Sequence, residues 1–119
     1  MLDLRDVENY LLSGTEVTFE AQGTSMFPTI FSGDVVTIEP IQKSLESLTP
    51  EDIIFVKMKR SYALHRFYEF DGRTLSTKGD NLEFLDQDIE CCIGILTQRR
   101  KTLKSLLKRL KYWALKIPL

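Results

Sequence analysis

Apolar and polar positions alternate along this chain in two rhythms. Leu4, Val7 and Leu11 recur at i, i+3 and i+7, behind Asp3 and Asp6. That spacing predicts a short amphipathic helix over residues 3–12, with its acids at the positive end and Ser13-Gly14 as its stop. The period then changes to two. Val17, Phe19 and Ala21 alternate with Thr18, Glu20 and Gln22, so a half-buried strand leads into Gly23. Val35 to Ile38 reads as a second strand ended by Pro40, and residues 41–51 as a polar connection with Leu45 and Leu48 as anchors and a helical turn. Ile53 to Met58 is a third strand, Lys59-Arg60-Ser61 a turn, and Tyr62 to Phe70 a fourth strand. Asp71-Gly72 is a hairpin turn. Arg73 to Lys78 is the fifth strand and delivers Gly79-Asp80-Asn81; residues 82–90 are acidic and irregular, and Ile93 to Leu96 closes the sheet. Short strands with turns between them predict a mainly β, small antiparallel fold.

The helical period returns at the end. Leu103, Leu106, Leu107, Leu110, Trp113, Ala114 and Ile117 form a stripe over residues 99–119, with Lys101, Lys104, Lys108 and Lys111 along the other side and Pro118 as the stop. Three uses compete for such a helix. It packs on the core with its leucines, it meets nucleic acid through its charge, or it lies on an anionic membrane with leucines and Trp113 inward. The nucleic-acid use leaves the wide apolar face unexplained, so no nucleic-acid partner is expected. A peripheral membrane contact through residues 99–119 is the preferred expectation.

Charge sharpens this division. All 17 acidic residues lie in 1–98, whereas eight of the 16 basic residues lie in 99–119. Residues 1–98 are therefore expected to form one domain and 99–119 a basic amphipathic helix of its own. With 119 residues and 43% apolar content the chain fits a single globular core. Cys91 and Cys92 are adjacent, too strained a pair to bridge, and with one histidine and no Cys-x-x-Cys there is no metal-ligand spacing. Free thiols suit a reducing compartment. The start, Met1-Leu2-Asp3-Leu4-Arg5-Asp6, lacks the basic opening and apolar run of a secretory signal, and no window approaches a membrane span. A cytoplasmic or peripheral membrane location is expected.

The chemistry centres on Gly23-Thr24-Ser25-Met26-Phe27-Pro28-Thr29-Ile30, closed by Gly33-Asp34-Val35-Val36. Gly23 permits a sharp turn before Ser25, and Pro28 stiffens the exit. A hydroxyl held beside free backbone N–H groups is what a serine nucleophile requires. By itself Gly-x-Ser-x-x-Pro equally describes a strand ending in an ordinary turn. His65, the single histidine, lies on the fourth strand with Ala63 and Phe67 on its face. Histidine ordinarily titrates near neutrality, which suits a general base; the plainer reading is a packed strand histidine. Lys57, Lys59 and Lys78 are the alternative bases. Asp80 and Asp86 compete to orient His65, with Asp88 as a fallback; Asp80, after Gly79, also reads as a turn aspartate bonding its own backbone. Met26, Phe27 and Phe31 surround the serine as local core or as substrate wall.

The serine block resembles the nucleophile segment of type I signal peptidases. Two further blocks follow in family order: Asp52-Ile53-Ile54-Phe55-Val56 with Leu64-His65-Arg66, and Thr77-Lys78-Gly79-Asp80-Asn81 with Asp86 beyond. The resemblance runs from Gly23 to about Asp86, then weakly to Ile93-Gly94. His65-Arg66 looks like the endoplasmic-reticulum, archaeal and Gram-positive type, which pairs serine with histidine and aspartate, rather than the bacterial Ser–Lys type. It implies a fold of the LexA/signal peptidase type, Ser25 as nucleophile, His65 as base, Asp86 as orienting acid with Asp80 supporting, and Met26 lining the pocket for small side chains. Two departures stand out: family members usually carry a transmembrane anchor before the serine block, and their Gly-Asp before the third strand is Glu51-Asp52 here.

The function so implied is a serine endopeptidase that cleaves leader or signal peptides after small residues, acting on a peptide or protein substrate with no cofactor and no metal. The competing class is a degenerate peptidase fold kept as a peptide-binding or membrane-docking module; the intact Ser25, His65, Asp80 and Asp86 weigh against it. LexA-type self-cleaving repressors share the fold. They place a DNA-reading domain ahead of the serine, use lysine, and cut at Ala-Gly or Cys-Gly; some twenty residues precede Gly23, and neither dipeptide occurs.

Overall fold

The computed structural model describes residues 3–116. Ile117 and Pro118, expected as the last turn and stop of the C-terminal helix, lie outside the described residues, as do Met1 and Leu2. The elements run α1 (Leu4–Leu12), β1 (Val17–Glu20), β2 (Val35–Pro40), a 3-10 turn (Leu45–Ser47), β3 (Ile53–Met58), β4 (Tyr62–Phe70), β5 (Leu75–Lys78), β6 (Ile89–Arg100) and α2 (Leu103–Lys116). The fold is mainly β: six antiparallel strands in the order β1-β2-β6-β3-β4-β5. Three strands separate β1 from β4, yet both line one cleft, because the sheet curls into a half-barrel.

Local sequence explains most of these boundaries. Asp3 caps α1, its carboxylate accepting from the Arg5 N–H at 2.9 Å, and Val7 and Leu11 are its buried face. β3 is apolar at four successive positions because it is buried on both faces. Ile53 and Phe55 join Val7, Leu11, Met26, Ile30 and Val36 in one cluster; Ile54 and Val56 join Leu48 and Phe67 in the other. β4 alternates as expected, Tyr62 and Leu64 packing on the first cluster, Ala63 and Phe67 on the second.

The sheet is closed by a longer strand than the sequence predicts. β6 spans twelve residues, not the four of Ile93 to Leu96, and runs between β2 and β3. Its C-terminal flank, Thr97 to Arg100, is exposed and polar, so no alternation marks it; pairing with β2 carries the strand through Arg99↔Val36 and Arg100↔Val35. Conversely, β5 begins at Leu75, two residues after the expected Arg73, because Asp71 Oδ1 accepts from the backbone N–H groups of Arg73 and Thr74.

Candidate active site

Ser25 sits in the loop between β1 and β2. Gly23 turns the chain at φ +88°, a conformation that side chains disfavour. Tight bonds then follow the serine: Phe27 N–H to Thr24 O at 3.2 Å, Thr29 N–H to Met26 O at 2.8 Å and Ile30 N–H to Met26 O at 2.9 Å. Met26 and Ile30 are buried, so their packing anchors the loop to the core. Across the sheet, β4 presents His65, and the chain leaving β5 brings Gly79, Asp80 and Asp86.

Three predicted residues stand in line. His65 Nε2 lies 2.9 Å from Ser25 Oγ, and His65 Nδ1 lies 2.6 Å from Asp86 Oδ2. Both rings of contact are shielded: the His65 and Asp86 side chains are each 8% exposed. Asp86 Oδ2 also accepts from Thr77 Oγ1 at 2.6 Å, and the Asp86 N–H donates to Thr77 O at 2.9 Å. Burial alone would raise the Asp86 carboxyl; the hydrogen bonds from His65 and Thr77 outweigh it and hold the group below its ordinary value. Thr77, fully buried, is a member of the site that the sequence reading did not single out. Its signal was its place at the head of the Thr77-Lys78-Gly79-Asp80-Asn81 block.

Asp80 stands apart from His65. Its carboxylate takes a fork from Arg66, Nε to Oδ1 at 2.7 Å and Nη2 to Oδ2 at 2.8 Å, and accepts from Thr29 Oγ1 at 2.5 Å. Burial would raise this carboxyl, and the Arg66 and Thr29 hydrogen bonds hold it low instead. The turn role expected for it, bonding its own backbone, is not what is observed: Asp80 clamps β4 to the nucleophile loop. Its N–H meets Met26 Sδ at 3.3 Å. Asp88 takes φ 60° and its carbonyl accepts from the Lys59 N–H, with no bond to His65. The candidate lysines are placed elsewhere. Lys57 pairs with Glu8 at 3.3 Å, Lys78 Nζ donates to the carbonyls of Gly79 and Leu82, and among the described residues none of Lys57, Lys59 and Lys78 bonds Ser25.

Gly79 passes against the centre of the site. A Cβ there would stand 2.6 Å from Ser25 O and 3.2 Å from His65 Nε2. Two residues on, the Asn81 N–H donates to Ser25 O at 2.8 Å, so this close passage fixes the serine's carbonyl.

A family model described as Peptidase S24-like matches residues 6–96. The chain belongs to the Peptidase S24-like family. This places it in the LexA/signal peptidase superfamily to which the signal-peptidase resemblance points, at a coarser level: the S24-like family also covers LexA-type autoproteases, and the match does not single out type I signal peptidases. No curated protein and no solved structure matches the chain. The matched span includes Ser25, His65, Thr77, Asp80 and Asp86 and stops before α2.

In this S24-like domain the dyad opens onto a cleft of about 770 Å³. Its walls are mostly apolar, with Phe19 and Ala21 on the β1 side, Met26 and Ile30 beside the serine, and Phe55 and Tyr62 opposite. Met26 thus stands where the resemblance puts a pocket residue, although it is almost wholly buried. The Tyr62 hydroxyl donates to Glu8 at 2.5 Å, which pushes its pKa up to about 12 and keeps it protonated. Two strand edges flank the cleft. β1 is an outer strand, and the Tyr62–His65 part of β4 pairs with β3 alone, since β5 begins its pairing at Arg66.

Proposed function

We propose that this protein is a serine endopeptidase that cleaves leader or signal peptides after small residues, with Ser25, His65 and Asp86 as its catalytic line. The observation that carries the reading is the unbroken contact Ser25 Oγ–His65 Nε2–His65 Nδ1–Asp86 Oδ2, at 2.9 and 2.6 Å, opening onto an apolar cleft. Asp86 accepts from Nδ1–H, which leaves Nε2 with its lone pair toward the serine. Ser25 Oγ attacks the peptide carbonyl carbon as Nε2 takes its proton, and Asp86 stabilises the imidazolium formed. The carbonyl oxygen becomes an oxyanion. The Ser25 N–H, which bonds no acceptor among the described residues, is the donor for it. Collapse expels the amine, protonated by His65, and leaves an acyl ester on Ser25. His65 then takes a proton from water, whose hydroxyl attacks the ester and frees the acid and Ser25.

The cleft supports an extended, apolar peptide. The open edges of β1 and β4 offer backbone partners on both sides, and the aromatic walls offer apolar contact. That fits a leader or signal sequence better than a charged substrate. A small residue before the cut follows from the signal-peptidase resemblance and the wall at Met26.

The test is cleavage of a library of leader-like peptides, read by mass spectrometry, with wild type and Ser25→Ala in parallel. The expected result is a cut after small residues by wild type and none by Ser25→Ala. Cuts confined to bulky residues overturn the specificity; no cut by either protein leaves a peptide-binding fold in place of an enzyme.

A further inference from the structure

α2 packs on the body of the protein through its polar side. Ser105 is fully buried. Arg109 holds both oxygens of Asp34 at 2.7 Å and lies 4.5 Å over the Phe31 ring. Tyr112 meets Phe27 and Phe31 edge-on at 5.9 and 5.5 Å, and Thr102 Oγ1 donates to Gly33 O at 2.8 Å. The apolar side faces away. Leu103, Leu106, Leu107, Leu110 and Trp113 are 75%, 43%, 54%, 67% and 53% exposed. At 100° per residue they and Ala114 cover an arc of about 120°. The helix cannot roll to bury them without leaving the Asp34 carboxylate, 0% exposed, unpaired.

We propose that α2 is a membrane-docking helix lying in the headgroup layer of an anionic bilayer, its leucines and Trp113 toward the acyl chains. Charge identifies the occupant. Lys104, Lys108 and Lys111 fill the arc between the apolar face and the body; Lys104 and Lys108 turn their ammonium groups to Glu20 and Ser32 at the body, whereas the exposed Lys111 lies beside the leucines with its ammonium group toward headgroup phosphates. Residues 99–119 hold eight basic residues and no acid. Two copies pressed together on this face would bring like charges against each other, whereas an anionic surface meets them with opposite sign. Among the described residues no helix is long and apolar enough to cross a membrane, so the contact lies on the surface. Trp113, amphipathic and half exposed, suits the boundary between headgroups and acyl chains. The placement also has a consequence for the cleft. Lys104 binds Glu20 at 2.7 Å and Lys108 binds Ser32 at 3.1 Å, and Glu20 and Ser32 both line it. A docked α2 therefore holds one rim of the cleft beside the bilayer; this consequence rests on the peptidase reading, whereas the docking does not.

Trp113 is the single tryptophan, so its emission reports on α2 alone. The full chain, as wild type and as Ser25→Ala, is mixed at low salt with vesicles of phosphatidylcholine and phosphatidylglycerol, or of phosphatidylcholine alone. With the anionic vesicles the emission should shift to the blue and the protein should sediment with them. Phosphatidylcholine alone should give a weaker effect, and added salt should reverse part of it. Leu107→Gln with Leu110→Gln should weaken binding at least about tenfold at unchanged far-UV circular dichroism. Should that variant lose helix, Lys111→Glu provides the reading, with an expected loss of roughly fivefold on anionic vesicles. Absence of both shift and sedimentation at low salt overturns the proposal, as does wild-type binding by these variants. A dimer in solution that the leucine substitutions dissociate, without vesicle binding, assigns the face to a second copy. Neither readout involves hydrolysis, so a failure here is distinct from a failure of the peptidase reading.

Discussion

Thr77→Val separates the line Ser25–His65–Asp86 from the hydroxyl that steadies it. Valine has nearly the volume of threonine, so a fully buried site loses one hydrogen bond without gaining a cavity. The bond lost is the Thr77 Oγ1 donation to Asp86 Oδ2 at 2.6 Å, one of two donors on that single oxygen. A hydrogen bond to a charged acceptor contributes about 1.5–3 kcal/mol. Expressed on the carboxyl, the loss raises the Asp86 pKa from its depressed position, because burial is then opposed by His65 alone. Expressed on the transition state, it is about a ten- to hundredfold loss in kcat as Asp86 holds the imidazole less firmly. The direction of the pH effect follows. Asp86 must be ionised to stabilise the imidazolium, so a higher carboxyl pKa moves the acidic limb of the activity profile upward. The assay is the rate of peptide cleavage across pH for wild type, Thr77→Val and the conservative Thr77→Ser, with thermal unfolding alongside. Thr77→Ser should recover most of the rate, since it restores the donor. Wild-type rates for Thr77→Val at every pH, with the fold intact, refute the idea that Thr77 supports Asp86.

Other substitutions test other parts. Gly79→Ala should lower cleavage by roughly tenfold to a hundredfold and lower stability as well, because its Cβ would press on the backbone Ser25 O and on His65 Nε2 and displace the Ser25–His65 pair; unchanged kinetics would show that the close passage is incidental. Asp80→Asn should lower stability in urea by about 1–3 kcal/mol through loss of the charged fork with Arg66, and should cost less activity than Asp86→Asn, which leaves His65 with the wrong tautomer or no counter-charge; the reverse order of activities would exchange the two roles. Arg109→Ala leaves Asp34 buried and unpaired and should cost about 3–5 kcal/mol in denaturant unfolding. Asp34 is held below its ordinary value of 3.8, burial pushing it up but Arg109, Ser105 and the Phe31 N–H outweighing burial. Its contribution is therefore present above about pH 4 and is lost as pH falls through the depressed native value, and Arg109→Ala should flatten that acid dependence.

The contact line Ser25–His65–Asp86 was legible because its spacing is carried by local signals. Lys59-Arg60-Ser61 and Asp71-Gly72 bracket β4, so the position of His65 on that strand followed from turns and alternation. The choice of Asp86 over Asp80 came from block spacing, and the structure distinguishes them physically: Asp86 reaches His65, Asp80 reaches Arg66. Thr77 was hidden because a buried hydroxyl in a strand has no pattern of its own. The length of β6 was hidden because Thr97, Gln98, Arg99 and Arg100 show no period; their strand geometry comes from β2, more than fifty residues earlier. α2 was readable as a helix and as two-faced, but its orientation depends on Arg109 finding Asp34, 75 residues away. No local rule would turn a leucine stripe outward; a buried carboxylate demanding a cation does.

The central claim is that His65 activates Ser25, and one measurement addresses it directly. Wild type, His65→Ala and Ser25→Ala are treated with a fluorophosphonate probe, and the labelled residue is located by mass spectrometry. The account predicts covalent label on Ser25 in wild type and loss of label by orders of magnitude in both variants, with folding verified by circular dichroism. Equal labelling of Ser25 in folded His65→Ala, or no label on Ser25 in wild type at any pH, contradicts it.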